Sequence, residues 1–275
     1  MNKKRKLLPR HASHWKYDLP KVGEPLAESM YPNSFTAASY LANASYLEIP
    51  RSTARVRGIA LTLGISGILL NLYCLWFILS INLESKTSLD VTSTTGSLLI
   101  IITFWMYVFF IRLDIQAPRN EPIRFNRIRR KVYFYEFKFD RLRVFSGIHW
   151  GVKAEAHAWD DLKAEACSVY APGHGGLIQN IVIAAHKPGT EEVIARYFFA
   201  HDLHHGEQCW AIARLFMQQG VGALPEIQNP PRDWNDDSEV GFPRRFAPKV
   251  HWPADIDLES RTAPTEETKC DPSPP

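Results

Sequence analysis

The chain has 275 residues and only four cysteines, Cys74, Cys167, Cys209 and Cys270, too far apart for a CxxC metal knuckle or a dense disulfide framework. A reducing compartment is the simplest context. The sequence has no GxxxxGK[ST] phosphate loop and no GxGxxG, so nucleotide chemistry has no visible support. It also lacks a GxSxG nucleophile elbow; Ser66 in Gly64-Ile65-Ser66-Gly67 has the wrong spacing and sits in an apolar run. Lys3, Lys4, Arg5 and Lys6 open the chain, yet no apolar stretch follows within range of a cleaved secretion signal. A net charge of +3 is too small to argue for nucleic acid, and no cofactor is indicated.

What is present is uneven. The mean hydropathy of -0.20 averages two long apolar blocks against a polar N-terminal arm and a Pro-rich tail. Residues 58–81 (GIALTLGISGILLNLYCLWFILSI) carry no charge. At about 1.5 Å per residue they exceed a bilayer core of about 30 Å. The second block, 96–111, reaches spanning length when residues 91–95 are added. Neither block has the polar stripe of a buried soluble helix, so the pair reads as a transmembrane hairpin.

Arg51, Arg55 and Arg57 precede the first block, and Arg112, Arg119, Arg124, Arg127, Arg129, Arg130 and Lys131 follow the second. The linking loop holds only Glu84, Lys86 and Asp90. Cationic flanks stay inside, which predicts a multi-pass protein of a bacterial inner membrane with both termini cytoplasmic. Arg124, Arg127, Arg129, Arg130 and Lys131 form the densest basic cluster, expected at the membrane surface either as topology signal or as an anionic-lipid contact.

Four regions are expected: an N-terminal arm over 1–57, the hairpin over 58–113, a β-rich domain over 114–220 and a largely disordered tail over 221–275. Segments 131–139, 153–159, 162–170, 177–185 and 193–199 read as strands of an antiparallel sheet. Residues 205–219 read as an amphipathic helix capped by Asp202 and stopped by Gly220. The fold class is therefore an α+β membrane protein, with a small bent sheet or barrel closed by one helix, by analogy a pleckstrin-homology module.

Three groups merit weighing as chemistry. His201, His205 and Cys209 recur at helical spacing beside His204, which permits a metal cluster, but no HExxH is present, and capping and surface histidines account for them better. Gly173, His174, Gly175 and Gly176 resemble an oxyanion-hole turn but lack a nucleophile and read as a hairpin turn. Asp160 and Asp161 are adjacent carboxylates at a strand end, ordinarily solvated. Within the first helix, Ala60, Gly64, Gly67 and Asn71 line one face. In an antiparallel hairpin Asn71 falls at the depth of Thr103, so these residues are the expected helix-pairing contact; a homo-oligomer built on the same stripe is the alternative.

At Pro122-Ile123-Arg124-Phe125-Asn126-Arg127, followed by Arg130-Lys131-Val132-Tyr133, the chain resembles a family of uncharacterised proteobacterial membrane proteins often encoded beside type VI secretion genes. The resemblance runs over residues 58–220 and includes Trp159. It implies a non-enzymatic secretion accessory or an immunity protein with a protein partner, a secretion component or a toxin. A membrane-anchored lipid-sensing module is the second expectation, and a zinc hydrolase the third.

Overall fold

The computed structural model describes residues 8–25, 41–51, 58–85, 91–148, 150–171, 176–225 and 247–264. It is an α+β arrangement in which two long apolar helices, α1 (Ile59–Ser85) and α2 (Val91–Gln116), are followed by antiparallel sheets. The apolar spans Ile59–Ile81 and Ser93–Gln116 are long enough to cross a membrane, and they are largely exposed rather than buried in a core.

Strands β1 (Trp15–Asp18), β2 (Leu41–Ala42) and β3 (Tyr46–Ile49) precede the helices; β4 (Ile123–Asn126), β5 (Lys131–Lys138), β6 (Gly151–Ala158), β7 (Leu162–Ala171), β8 (Gly176–His186) and β9 (Val193–Ala200) follow them. They form a five-stranded sheet in the order β2-β3-β4-β5-β6 and a four-stranded sheet in the order β1-β7-β8-β9. Strands β5 to β9 match the periodicity to within one or two residues, because each alternates or runs apolar between turn residues, whereas the four-residue β4 is not read from the sequence. Lys187 and Gly189 supply one such turn, with Gly189 at φ 70° and Thr190 N donating to Lys187 O at 3.0 Å.

The sheets share one core and do not close into a barrel. Helix α3 (Leu203–Gln219) packs over that core with Trp210, Ile212, Ala213 and Phe216 buried. Trp159, in a 3-10 turn that carries the chain from one sheet to the other, meets Phe125 edge-on at 5.9 Å and Trp210 at 5.1 Å. Closure fails beside β6 and β9, where charged and hydroxyl side chains meet instead of backbone ladders.

The arm and tail also contribute. β3 pairs with β4 from Tyr46↔Asn126 to Ile49↔Ile123, so residues before α1 and after α2 share one sheet. Helix α4 (Ala254–Arg261) lies against β4 and β5, where disorder was expected. Its ordering has a polar cause, since Arg124 and Asn126 on β4 bind its side chains and carbonyls. The expectation of disorder over 226–246 and 265–275, and the charges Arg55, Arg57, Lys86 and Asp90, lie outside the described residues.

Candidate functional site

Of the basic cluster only Arg124 is buried, while Arg129, Arg130 and Lys131 meet partners at the surface. Arg124 is 2% exposed; its guanidinium lies 2.6 Å from Glu48, 2.8 Å from Asp257 and 2.5 Å from the Ser260 hydroxyl. The rings of Tyr46 and Trp252 lie 5.0 and 4.6 Å from it. Burial pushes the Glu48 carboxyl up, and Arg124 opposes that shift. Arg129 donates to the carbonyls of Thr262 and Ala263, Arg130 pairs with Asp160 at 2.5 Å, and Lys131 pairs with Glu259 at 2.7 Å. Arg127 lies exposed across the Gly220 end of α3. Arg51, read in the sequence as a flank charge, is buried and donates to the carbonyls of Glu121, Phe198 and Tyr135.

The hairpin brings its small-residue face to α2. Gly64, Gly67 and Asn71 are buried and Ala60 is half-buried. A Cβ on Gly64 would stand 2.5 Å from Ile111 Cγ1, and one on Gly67 would stand 2.4 Å from the Tyr107 ring. Thr103 Oγ1 lies 3.1 Å from Asn71 Oδ1, and Asn71 Nδ2 donates to Ile100 O at 3.4 Å. One polar contact was invisible to the sequence: Asp114 of α2 accepts from the backbone of Gly58 at 2.7 Å and Leu61 at 3.0 Å, capping the start of α1.

The histidines of α3 are not gathered at one point. Asp202 caps the helix by accepting from His205 N at 2.8 Å, while His204 faces Gln208 at 3.0 Å and His201 packs on Phe198 at 4.3 Å. Only His205 and Cys209 approach, at 3.6 Å, and burial pushes the Cys209 thiol up to about 12. His11, Asp18 and Glu165 do converge, but Glu165 already accepts from Arg196 at 3.0 Å and from Ala12 N at 3.1 Å, and Asp18 accepts from Trp15 at 2.7 Å. Those bonds tie β9 and the segment before β1 to Glu165 on β7, and link Trp15 to Asp18 within β1.

Sequence reasoning missed the polar seam at β6 and β9. A cavity of about 290 Å³ is lined there by Glu136, Lys138, Lys153, Glu155, Arg196 and Tyr197. Tyr197, stacked on Phe134 at 3.9 Å, places its hydroxyl 2.5 Å from Glu155 and 2.6 Å from His157 Nε2. With the phenol proton directed to Glu155, the imidazole N–H serves as donor to the phenol oxygen. His157, Lys153 and Tyr197 hold Glu155 well below the usual carboxylate range, Lys138 adds charge, and burial works against them. Burial instead raises Glu136, against the pull of Arg51 and Lys138. The seam is thus a compensated ion and hydrogen-bond network whose acceptor is already engaged. Its signal in the sequence, Lys153-Ala-Glu155-Ala-His157, is an alternation putting three polar groups on one strand face.

A different feature is left uncovered. β7 and β8 pair through Ala171↔Gly176, but β9 joins β8 only from Ile181, and β1 reaches β7 only to Cys167. Beyond Ser168 and Asn180 the sheet is a two-stranded ribbon among the described residues. Its cross-strand pair Tyr170 and Leu177 is 71% and 59% exposed, and Ile178 on the other face is 40% exposed. Gly176 sits at φ 96° where β8 begins, and Gly173, His174 and Gly175 lie outside the described residues.

A family model matches residues 100–264, from the middle of α2 through α4. The chain belongs to DUF6708, a family of unknown function. The DUF6708 match takes in the tail helix and Arg124 with its partners Asp257 and Ser260. No curated protein and no solved structure matches the chain.

Proposed function

We propose that this is a non-enzymatic protein of a bacterial inner membrane, anchored by the α1–α2 hairpin with both termini cytoplasmic, that binds a protein partner through the β7–β8 ribbon. The observation carrying the reading is the projecting ribbon. Two strands without further neighbours are marginal in water, and exposed aromatic and aliphatic side chains on such an element are the composition of a protein contact. The resemblance to proteins encoded beside type VI secretion genes makes the partner a secretion component or a toxin, and the role that of an accessory or immunity protein. The common side of the two chain ends is supported by the β3–β4 ladder, because a two-helix excursion that leaves and re-enters one sheet must return to the same face of the bilayer.

The test is affinity purification of the full chain from a detergent extract, beside the triple variant Tyr170→Ser, Leu177→Ser, Ile178→Ser and a control containing only the hairpin. One protein should be enriched over the hairpin control and lost with the triple variant, whose thermal unfolding should match the wild type because the substituted side chains are exposed. Equal enrichment by wild type and variant sinks the ribbon as the contact; no enrichment over the control sinks partner binding.

The lipid-sensing alternative keeps the pleckstrin-homology analogy, which rests on two sheets and a closing helix. It has less support at Arg124, Arg129, Arg130 and Lys131, since their charges are met by Glu48, Asp257, Asp160, Glu259 and tail carbonyls. The zinc hydrolase reading has less support still, given the divergent directions of His201, His204 and His205.

A further inference from the structure

The β5–β6 connection does not stand away from the helices as a surface loop would. It runs back along one face of α2, the face of Trp105, Phe109 and Arg112. Trp105 Nε1 donates to Arg141 O at 3.4 Å, and its ring meets Phe145 edge-on at 5.8 Å. Phe109 meets Phe139 at 6.0 Å and Trp150 at 5.9 Å. Arg112 donates to Val144 O, and its guanidinium lies 4.7 Å from the Trp150 ring. Val144 and Trp150 turn inward and are buried, whereas Leu142 is 80%, Phe145 67% and Ile148 92% exposed. Ile148 and Leu142 are the most exposed large apolar side chains among the described residues.

We propose that residues 139–148 of the β5–β6 connection are inserted into the lipid leaflet beside α2, with Leu142, Phe145 and Ile148 in contact with acyl chains. The inference rests on the membrane-spanning reading of α1 and α2. Three things fix lipid as the occupant. The loop is continuous with the lipid-facing surface of α2, because Trp105 and Phe145 form one exposed aromatic pair. Trp105 lies seven residues from Arg112, about 10 Å along the helix axis at about 1.5 Å per residue, and interfacial anchors sink about 5–10 Å into the headgroup and acyl boundary. Arg141 and Arg143 stand either side of Leu142, with Arg143 3.9 Å from Asp140, and long cationic side chains at such a site reach lipid phosphates while their stems lie against acyl chains. The loop also covers Arg112, so the charge that ends the apolar run of α2 meets a carbonyl and a ring rather than hydrocarbon. The basic cluster of β4 and β5 has no part in this contact.

The experiment uses the full chain in vesicles of phosphatidylethanolamine and phosphatidylglycerol, with Cys74→Ser and Cys270→Ser; Cys167 and Cys209 are buried and remain. An environment-sensitive fluorophore is placed by Ile148→Cys or Leu142→Cys, with Leu70→Cys in α1 as membrane reference and Glu191→Cys in the β8–β9 turn as aqueous reference. Lipids carry a nitroxide near the headgroup or near the acyl terminus. At Ile148 and Leu142 the emission should shift to the blue and lose most of its intensity with the shallow nitroxide, as no probe at Glu191 does. Quenching at Leu70 with none at Ile148 and Leu142 overturns the insertion and leaves the hairpin standing. A blue shift at Ile148 without nitroxide quenching means that protein covers the loop, and also overturns it. Quenching at Ile148 but not at Leu70 upholds the loop contact and removes the spanning hairpin; quenching at neither removes both.

Discussion

Arg124 holds the domain together by joining residues that are distant along the chain, Glu48 on β3 and Asp257 on α4, at one buried point. Removing one member of a buried ion pair strands the other, at about 3–5 kcal/mol. Arg124→Met should therefore reduce the unfolding free energy of the purified protein by that amount and lower its thermal transition accordingly, and Arg124→Met with Glu48→Leu should recover much of it. A fully tolerated single variant would mean that the cluster is solvated. Glu155 makes a pH-dependent contribution of defined sign. Its folded value lies below that of an unfolded carboxyl, about 4.3, so its stabilisation is complete above that pH and fades as acidification approaches the folded value. Glu155→Gln should be less stable than wild type at neutral pH, and the gap between the two should narrow on acidification; a gap constant with pH would show that Glu155 is not held ionised. The sequence disclosed neither residue's role. Arg124 reads as a juxtamembrane charge because its partners lie 76 and 133 positions away, whereas Asp202 and Gly220 could be read as cap and stop because their bonds close within a single helical turn.

The same contrast in range governs the elements. Strands β5 to β9 announce themselves through alternation and turn residues, but β1 and β3 have four residues each and β2 two, and β1 and β3 enter their sheets as neighbours of strands that come long after them. β5 is apolar on both faces because both are covered: Val132 and Phe134 look into the main core, while Tyr135 meets Trp252 and Phe137 meets Trp150. The hairpin was legible because depth in an antiparallel pair follows from counting residues, which puts Asn71 opposite Thr103. Asn71→Ala should cost only about 0.6 kcal/mol, as interhelical bonds in lipid average that amount. Gly67→Leu is different, since the Tyr107 ring occupies the space it needs. In a background lacking Cys74, the pair Asn71→Cys and Thr103→Cys should crosslink within one chain, and adding Gly67→Leu should abolish that crosslink. Crosslinks formed only between chains would instead indicate a homo-oligomer built on this stripe.

For the whole molecule, the domain is interrupted by the hairpin and not appended to it. Sheet partners 49 and 123 bracket both apolar helices, and the arm, the strands after α2 and the tail helix meet around β4. A reporter active only outside the cytoplasm should work when fused after Lys86 and fail when fused after Gly220; the reverse pattern would invert the proposed orientation, and activity at both sites would break the hairpin. Asp114 adds an order in time. The first amides of α1 receive their acceptor from a side chain 53 and 56 positions further along the chain. Until α2 has been synthesised almost to its end, the leading end of α1 lacks that cap, so the first helix gains its final seat only from the second.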